Sequence, residues 1–175
     1  MMKERYLLTD LGVVSALGVG VDETRSRLFA GDTSGMRELG PLSGGDKTVF
    51  GFAPLGEEAF AAAPTRIAAL ADAAMTQLAG AVENLRLADP GCRIGAVIGT
   101  SNSTMEEYTD NPDSIDMSYP ALRLKEKWGV DGPAWVVSTA CSSSAKVFSS
   151  ARRLIADGLC DAVIITPPAA PMRRT

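Results

Sequence analysis

Histidine is absent from this sequence of 175 residues. A chain without imidazole has neither the commonest general base nor the commonest metal ligand of proteins, so any reaction that it performs alone must use other groups. Positive charge is also in the minority, since the formal net charge is −4 and the pI is near 4.9. Nucleic-acid-binding proteins usually carry a basic face, and the sequence therefore predicts no nucleic-acid partner.

Cysteine is scarce. The three cysteines are Cys92, Cys141 and Cys160, and no two of them form a CxxC pair. An odd number with this spacing predicts neither a disulfide framework nor a zinc site, and no metal is expected. Free thiols of this kind favour a reducing, cytoplasmic location.

Long hydrophobic runs are missing too. The N-terminal stretch "MMKERYLLTDLGVVSALGVGV" superficially resembles a signal peptide, but Thr9 and Asp10 interrupt its apolar run and no small-x-small cleavage site follows. The stretch is too short and too broken to span a bilayer, so no membrane association is expected. We interpret it as a buried strand followed by a glycine-rich turn.

The composition that remains is typical of a folded domain, with 46% hydrophobic and 22% charged residues. Apolar runs bounded by turn residues alternate with segments of helical spacing, and neither an internal repeat nor a linker divides them. Because strands separated by helices pair in parallel or mixed sheets, the sequence predicts an α/β layered domain. The predicted strands, besides the N-terminal one, are 47–55, 93–98, 133–139 and 161–165. The predicted helices are 23–30 with Asp22 as its cap, a long one from Pro64, 118–128, and one after Cys141.

Cys141 stands between the predicted strand 133–139 and a helix that opens with three serines. A thiol at such a joint lies beside the unpaired amides and the positive end of the helix, and both stabilise a thiolate. Judged from the residues alone, Cys141 is either a small buried packing residue or a nucleophile aimed out of a turn. Cys92 and Cys160 have no such placement and are predicted to pack in the core.

The predicted helix after Cys141 has one apolar face. Charged side chains lie off that face, and Gly158 is its expected end. The residues assigned to the face are Ala145, Phe148, Ala151, Leu154 and Ile155.

Three stretches carry a resemblance to a known family. The run "STACSSSAKVFSSARRLIADGLCDAVI" resembles the nucleophile segment of the β-ketoacyl-acyl-carrier-protein synthases, members of the thiolase-like superfamily. "LTDLGVVSALGVGVDETRSRLFAGDTSG" resembles their first strand and helix, and "RIGAVIGTSNS" resembles their central strand. The resemblance implies a thiolase-like layered fold, N-terminal half only, with a mixed sheet and helices on its faces. On this basis residues 1–166 form the half-domain and residues 167–175 a divergent proline-rich tail.

The resemblance also implies a chemistry. Cys141 would be the catalytic nucleophile, taking an acyl group from the phosphopantetheine of a carrier protein, with its own amide as one oxyanion donor and no cofactor of its own. In the family, a carbanion from a malonyl carrier then attacks the acyl group, in fatty acid or polyketide synthesis. In the family, a second half of the protein supports that step with two histidines, a lysine and a Gly-Phe-Gly-Gly loop. The present sequence of 175 residues contains neither histidine nor such a loop. The expectation is a truncated ketosynthase that cannot condense alone.

The loop after Gly99 provides the candidate substrate-binding residues. By resemblance, Thr100, Ser101 and Met105 lie near the acyl pocket and the dimer contact. The alternative is a solvated loop tied to its own backbone by polar side chains, and the sequence leaves both open.

The resemblance implies protein partners besides the acyl carrier protein. We expect a homodimer, or a heterodimer with a ketosynthase-like chain, with strand 133–139 pairing antiparallel across the two-fold axis. The helix face that includes Phe148 would contribute apolar surface to an assembly.

Three other functions compete with the enzyme. A non-catalytic partner subunit of a two-chain ketosynthase is the first, although such partners usually lack the nucleophile that Cys141 would provide. An inactive remnant is the second. The third, a nucleotide-binding α/β domain, is discounted because neither a GxGxxG nor a P-loop pattern is present.

Overall fold

The computed structural model describes residues 6–39, 48–63, 65–101 and 118–166. These residues belong to two structural units. The first unit has residues 6–11, 79–101 and 118–166, and the second has residues 12–39, 48–63 and 65–78.

Helices and short strands alternate along the described residues. The strands are β1 Val14–Ser15, β2 Gly18–Val19, β3 Met36–Leu39, β4 Thr48–Gly51, β5 Ile94–Gly99, β6 Ala134–Val137 and β7 Ala162–Thr166. The helices are α1 Val21–Phe29, α2 Glu57–Ala61, α3 Arg66–Ala88, α4 Tyr119–Trp128 and α5 Ser143–Ala156, with a 3-10 turn at Ala140–Ser142.

The first unit is built on a parallel sheet with the strand order β6-β5-β7. Ala96 of β5 lies opposite Ala134 of β6 on one side and Ile164 of β7 on the other. Every residue of β5 is buried, which explains why its sequence IGAVIG is continuously apolar rather than alternating. The predicted parallel pairing and α/β layering are confirmed for this unit.

Helix α5 packs on one face of this sheet. Its contacts form a core cluster of Val97, Val147, Leu154 and Cys160. The positions that α5 buries are Ser143, Val147, Ala151 and Leu154, which recur at helical spacing.

This buried face differs from the predicted one. Ala145 is exposed and Phe148 keeps 46% of its surface exposed, whereas Val147 is fully buried. Two apolar stripes lie side by side on α5, and only contact with the sheet determines which of them packs. Ala151 and Leu154 were therefore assigned correctly to an apolar face, but they are covered within the unit and offer no surface to an assembly.

The second unit contains two antiparallel pairs, β1 with β2 and β3 with β4. The side chain of Gln77 in α3 fixes the chain just before β1. Gln77 Nε2 donates to the Val13 carbonyl at 3.0 Å, and its Oε1 accepts from the Val13 amide at 3.0 Å. One side chain thus replaces the two hydrogen bonds that a neighbouring strand would make.

The described part of the N-terminal stretch holds only the two-residue strands β1 and β2, so the expected buried strand is shorter than its apolar run. Residues 6–13 form no strand, and Leu7 and Leu8 are 83% and 78% exposed. A strand needs a neighbour to satisfy its amides and carbonyls. None of the described strands pairs with residues 6–13.

Several boundaries also differ from the prediction. Helix α1 begins at Val21 with Gly20 as its cap, so Asp22 lies inside the first turn and pairs with Arg25 at 2.8 Å. The predicted strand 47–55 is limited to Thr48–Gly51. Helix α4, by contrast, ends as predicted at Gly129, which adopts the left-handed conformation with φ 61°. No helix among the described residues is both long and apolar enough to cross a membrane.

Candidate functional site

The candidate site lies where β5 and β6 end on the same side of the parallel sheet. Gly99 at the end of β5 is opposite Val137 at the end of β6. Thr100 follows Gly99, and the segment that carries Cys141 follows Val137. In parallel sheets the carboxyl ends of the strands are where reactive side chains commonly gather.

Cys141 is exposed at the middle of the 3-10 turn Ala140–Ser142. Its exposure shows that the packing alternative is wrong for this thiol. The residue before it, Ala140, has φ 53°, the one positive φ of a non-glycine residue among those described. This left-handed conformation is unfavourable for a side chain with a Cβ, so the turn needs support from its surroundings.

Two serine side chains supply that support. Ser143 Oγ accepts from the Thr139 amide at 2.9 Å and donates to the Ala140 carbonyl at 2.8 Å. Ser142 Oγ donates to the Thr139 carbonyl at 2.8 Å and lies 3.0 Å from Thr139 Oγ1. Both residues that precede Cys141 are therefore held by hydroxyl groups from the residues that follow it.

The first turn of α5 also touches the end of β5. A Cβ on Gly99 would lie 2.8 Å from the Ser143 carbonyl oxygen and 2.7 Å from Val147 Cγ1. The absence of a side chain at Gly99 lets the helix approach the strand this closely.

The helix itself begins two residues after Cys141, at Ser143. The prediction placed the thiol directly at the helix end, whereas the structure places it within the 3-10 turn that leads into the helix. The bracing role of Thr139 and Ser143 was missed. The signal in the sequence was a serine four residues after a threonine, a spacing at which a side chain folds back on the backbone.

The candidate substrate-binding residues separate in the structure. Thr100 is buried, with 3% of its surface exposed, whereas Ser101 is exposed. Both follow β5 at the sheet edge where Cys141 lies. Met105 lies outside the described residues. Substrate binding by these three residues stays a prediction.

The other two cysteines are buried, as predicted. Burial is the main cause that raises the pKa of the Cys92 thiol, and nearby carboxylates such as Asp161 add to it. Burial likewise raises the pKa of the Cys160 thiol, against which the charge of Arg93 acts in the opposite direction. Both thiols are therefore held in the neutral form, which is a poor nucleophile.

The described residues also form a surface groove. This groove of about 340 Å³ lies on the first unit, and its lining includes neither Cys141 nor Thr100 nor Ser101. It is lined by Ala79, Val82, Glu83, Arg86, Leu87 and Trp128. Among the described residues no three His, Cys, Asp or Glu side chains come together as metal ligands.

Comparison with known proteins connects this geometry to a family. The sequence model of the family described as β-ketoacyl synthase, N-terminal domain, matches residues 11–166. No curated protein matches the sequence. Among solved structures, a ketosynthase in complex with its chain length factor from Xenorhabdus doucetiae is similar, with a TM-score of 0.72 and 26% sequence identity.

The two matches cover different shares of the proteins compared. The solved ketosynthase match covers 90% of this chain but 46% of the other, so the chain spans about half the length of the structure it matches. The family match, in contrast, includes β1 through β7 and the turn with Cys141. The thiolase-like α/β fold expected from the sequence is confirmed, and the chain belongs to the β-ketoacyl synthase family, to whose N-terminal domain it corresponds.

Proposed function

We propose that this chain is an acyltransferase of the β-ketoacyl synthase type that carries its acyl group on Cys141. The observation that supports this most directly is the exposed thiol on a braced turn at the carboxyl end of a parallel sheet. Membership of the family supports it as well. Among the three cysteines, the other two are buried.

The proposed step is a thioester exchange. The Cys141 thiolate attacks the carbonyl carbon of an acyl thioester on the phosphopantetheine of a carrier protein, and a new carbon–sulfur bond forms. The bond between that carbon and the carrier sulfur breaks, and the carrier thiolate leaves and takes up a proton from water. Electrons and atoms balance without a cofactor, and the tetrahedral intermediate requires donors for its oxyanion, of which the Cys141 amide is one candidate.

Condensation is the part of the family reaction that we propose this chain does not perform alone. The 175 residues contain no histidine, and the loss of a single oxyanion donor typically lowers a rate by about a hundredfold to a thousandfold. We propose that a ketosynthase-like chain supplies the missing groups. The similar solved ketosynthase is itself in complex with a chain length factor, which supports a pairing of this kind.

The proposal predicts slow self-acylation at a single thiol. After incubation with an acyl-carrier thioester, mass spectrometry of the intact chain should show one added acyl group, and peptide mapping should place it on Cys141. Cys141→Ala should remove the adduct completely. No β-ketoacyl product should form when malonyl carrier is added to the chain alone.

Cys92→Ala is the matched control, because it removes a buried thiol and leaves Cys141 in place. It should retain the adduct. Acylation that persists in Cys141→Ala, or an acyl group mapped to Cys92 or Cys160 in the folded chain, would show that the nucleophile is wrongly assigned.

A non-catalytic partner subunit is the second candidate, since the similar solved structure pairs a ketosynthase with a chain length factor. The same experiment separates the two functions. A partner subunit would take no acyl group at Cys141 but would raise product formation when it is mixed with a complete ketosynthase.

A further inference from the structure

The hydroxyl group of Ser143 is buried and uses both of its hydrogen-bonding roles. The residue has 2% of its surface exposed. As an acceptor it binds the Thr139 amide, and as a donor it binds the Ala140 carbonyl. The Ser143 oxygen therefore satisfies one backbone donor and one backbone acceptor at once, and it holds both backbone groups in place.

The two groups that Ser143 holds lie immediately before Cys141. Thr139 has φ −138° and ψ 41°, and Ala140 has φ 53°. Together these two residues set the direction in which the chain enters the 3-10 turn, and hence the direction of the thiol. The Ser143 backbone in turn abuts Gly99 at the end of β5, so the clamp is anchored to the sheet.

We infer that Ser143 is a positioning residue for Cys141: its hydroxyl group fixes the left-handed turn that aims the thiol at an acyl thioester. This inference rests on the proposed function, because it concerns the orientation of the proposed nucleophile. Ser143 acts through the turn and does not touch the reacting atoms.

Orientation has a specific kinetic signature. Attack on a bound thioester requires the sulfur to approach its carbonyl along a restricted path, and a small misplacement has a large effect on that step. A small reagent such as iodoacetamide approaches an exposed thiol from many directions and depends less on the turn. Loss of the Ser143 hydroxyl should therefore slow acylation much more than it slows alkylation.

The experiment compares Ser143→Ala with the wild-type chain at a series of acyl-carrier thioester concentrations. The first-order acylation rate at saturation should fall about tenfold, a decrease that corresponds to a barrier about 1.4 kcal/mol higher. The half-saturating concentration should stay within about twofold. Alkylation of Cys141 by iodoacetamide should fall by less than about threefold.

Cys92 and Cys160 report on folding within the same experiment, because both are buried. In a positioning variant they remain protected from iodoacetamide while acylation slows. Ser144→Ala is the matched control, since Ser144 is exposed in the same helical turn, and it should acylate at the wild-type rate.

Each outcome decides the matter. Unchanged saturating acylation in Ser143→Ala, or an equal loss in Ser144→Ala, would overturn the inference. If Ser143→Ala exposes the buried thiols, Ser142→Ala takes its place, because it removes contacts to Thr139 from an exposed position. It should slow acylation about threefold with the thiols protected, and no slowing would equally overturn the inference. A wild-type chain that accepts no acyl group would instead refute the proposed function.

Discussion

At the scale of single residues, three cysteines in one chain meet two different environments. The sequence predicted correctly that Cys92 and Cys160 are buried, but its residues alone left Cys141, at a strand-to-helix joint, open between a packing residue and a nucleophile. It did not predict the support of the turn by Ser142 and Ser143. The turn needs that support because Ala140 adopts a left-handed conformation, and an alanine in the sequence gives no signal for such a conformation.

The buried thiols predict a loss of stability in alkaline solution. Burial raises the pKa of Cys92 and Cys160 in the folded chain above the ordinary 9.0. As the pH rises through 9.0, thiols of the unfolded chain release protons that the folded chain still holds. The unfolded state then binds fewer protons, so the free energy of unfolding falls with increasing pH. The stability that the two protonated thiols contribute is fully present below pH 9.0 and is lost as the pH rises above it.

Urea unfolding at several pH values between about 8 and 10.5 measures this effect. Cys160→Ala should flatten the decrease, because it removes one of the two titrating groups, although it lowers stability at neutral pH by leaving a small cavity. If the free energy of unfolding fell equally steeply with pH in wild type and Cys160→Ala, the raised pKa of the Cys160 thiol would not be the cause.

At the scale of helices and strands, local patterns gave the first unit within one or two residues. The predicted strand 93–98 is observed at Ile94–Gly99, and the predicted helix 118–128 at Tyr119–Trp128. The continuous apolar run of β5 and the glycine after α4 are strong local signals in the sequence. Residues 6–13 of the N-terminal stretch form no strand, because whether an apolar segment forms a strand depends on a neighbour that its own sequence does not specify.

Two glycines of the first unit should respond in opposite directions to the same substitution. Gly99→Ala places a Cβ within 3 Å of Ser143 and Val147, and overpacking of this kind costs about 1–3 kcal/mol. Gly80→Ala lies inside α3, where a Cβ meets nothing within 4 Å, and alanine should stabilise the helix by about 0.5–1 kcal/mol.

Chemical denaturation of both variants tests this pair. Gly99→Ala should also slow acylation of Cys141, since it displaces the first turn of α5, whereas Gly80→Ala should not. Equal stability of the two variants would show that α5 does not seat against the end of β5 as the structure describes.

At the scale of the whole molecule, several large apolar side chains are exposed on the first unit. Leu7, Leu8 and Leu11 are each more than 60% exposed, and Phe148 and Leu159 are about half exposed. The same unit has an edge strand, because within the described residues β6 pairs with β5 alone. Exposed strand edges and large apolar patches are uncommon on stable monomers. Association with a second chain would cover both.

We therefore predict a dimer or larger oligomer in which β6 pairs across the interface. The Ala96 amide donates to the Pro133 carbonyl at 3.0 Å, and since parallel strands bond through alternate residues, the amides of Ala134 and Val136 point away from β5. Light scattering should show more than one chain per particle at micromolar concentration. On dilution to monomer, hydrogen exchange at Ala134 and Val136 should accelerate, while exchange in the central strand β5, bonded on both sides, should not change. A monomer at micromolar concentration that binds no hydrophobic dye, or exchange at these two amides that is independent of concentration, would rule out this interface.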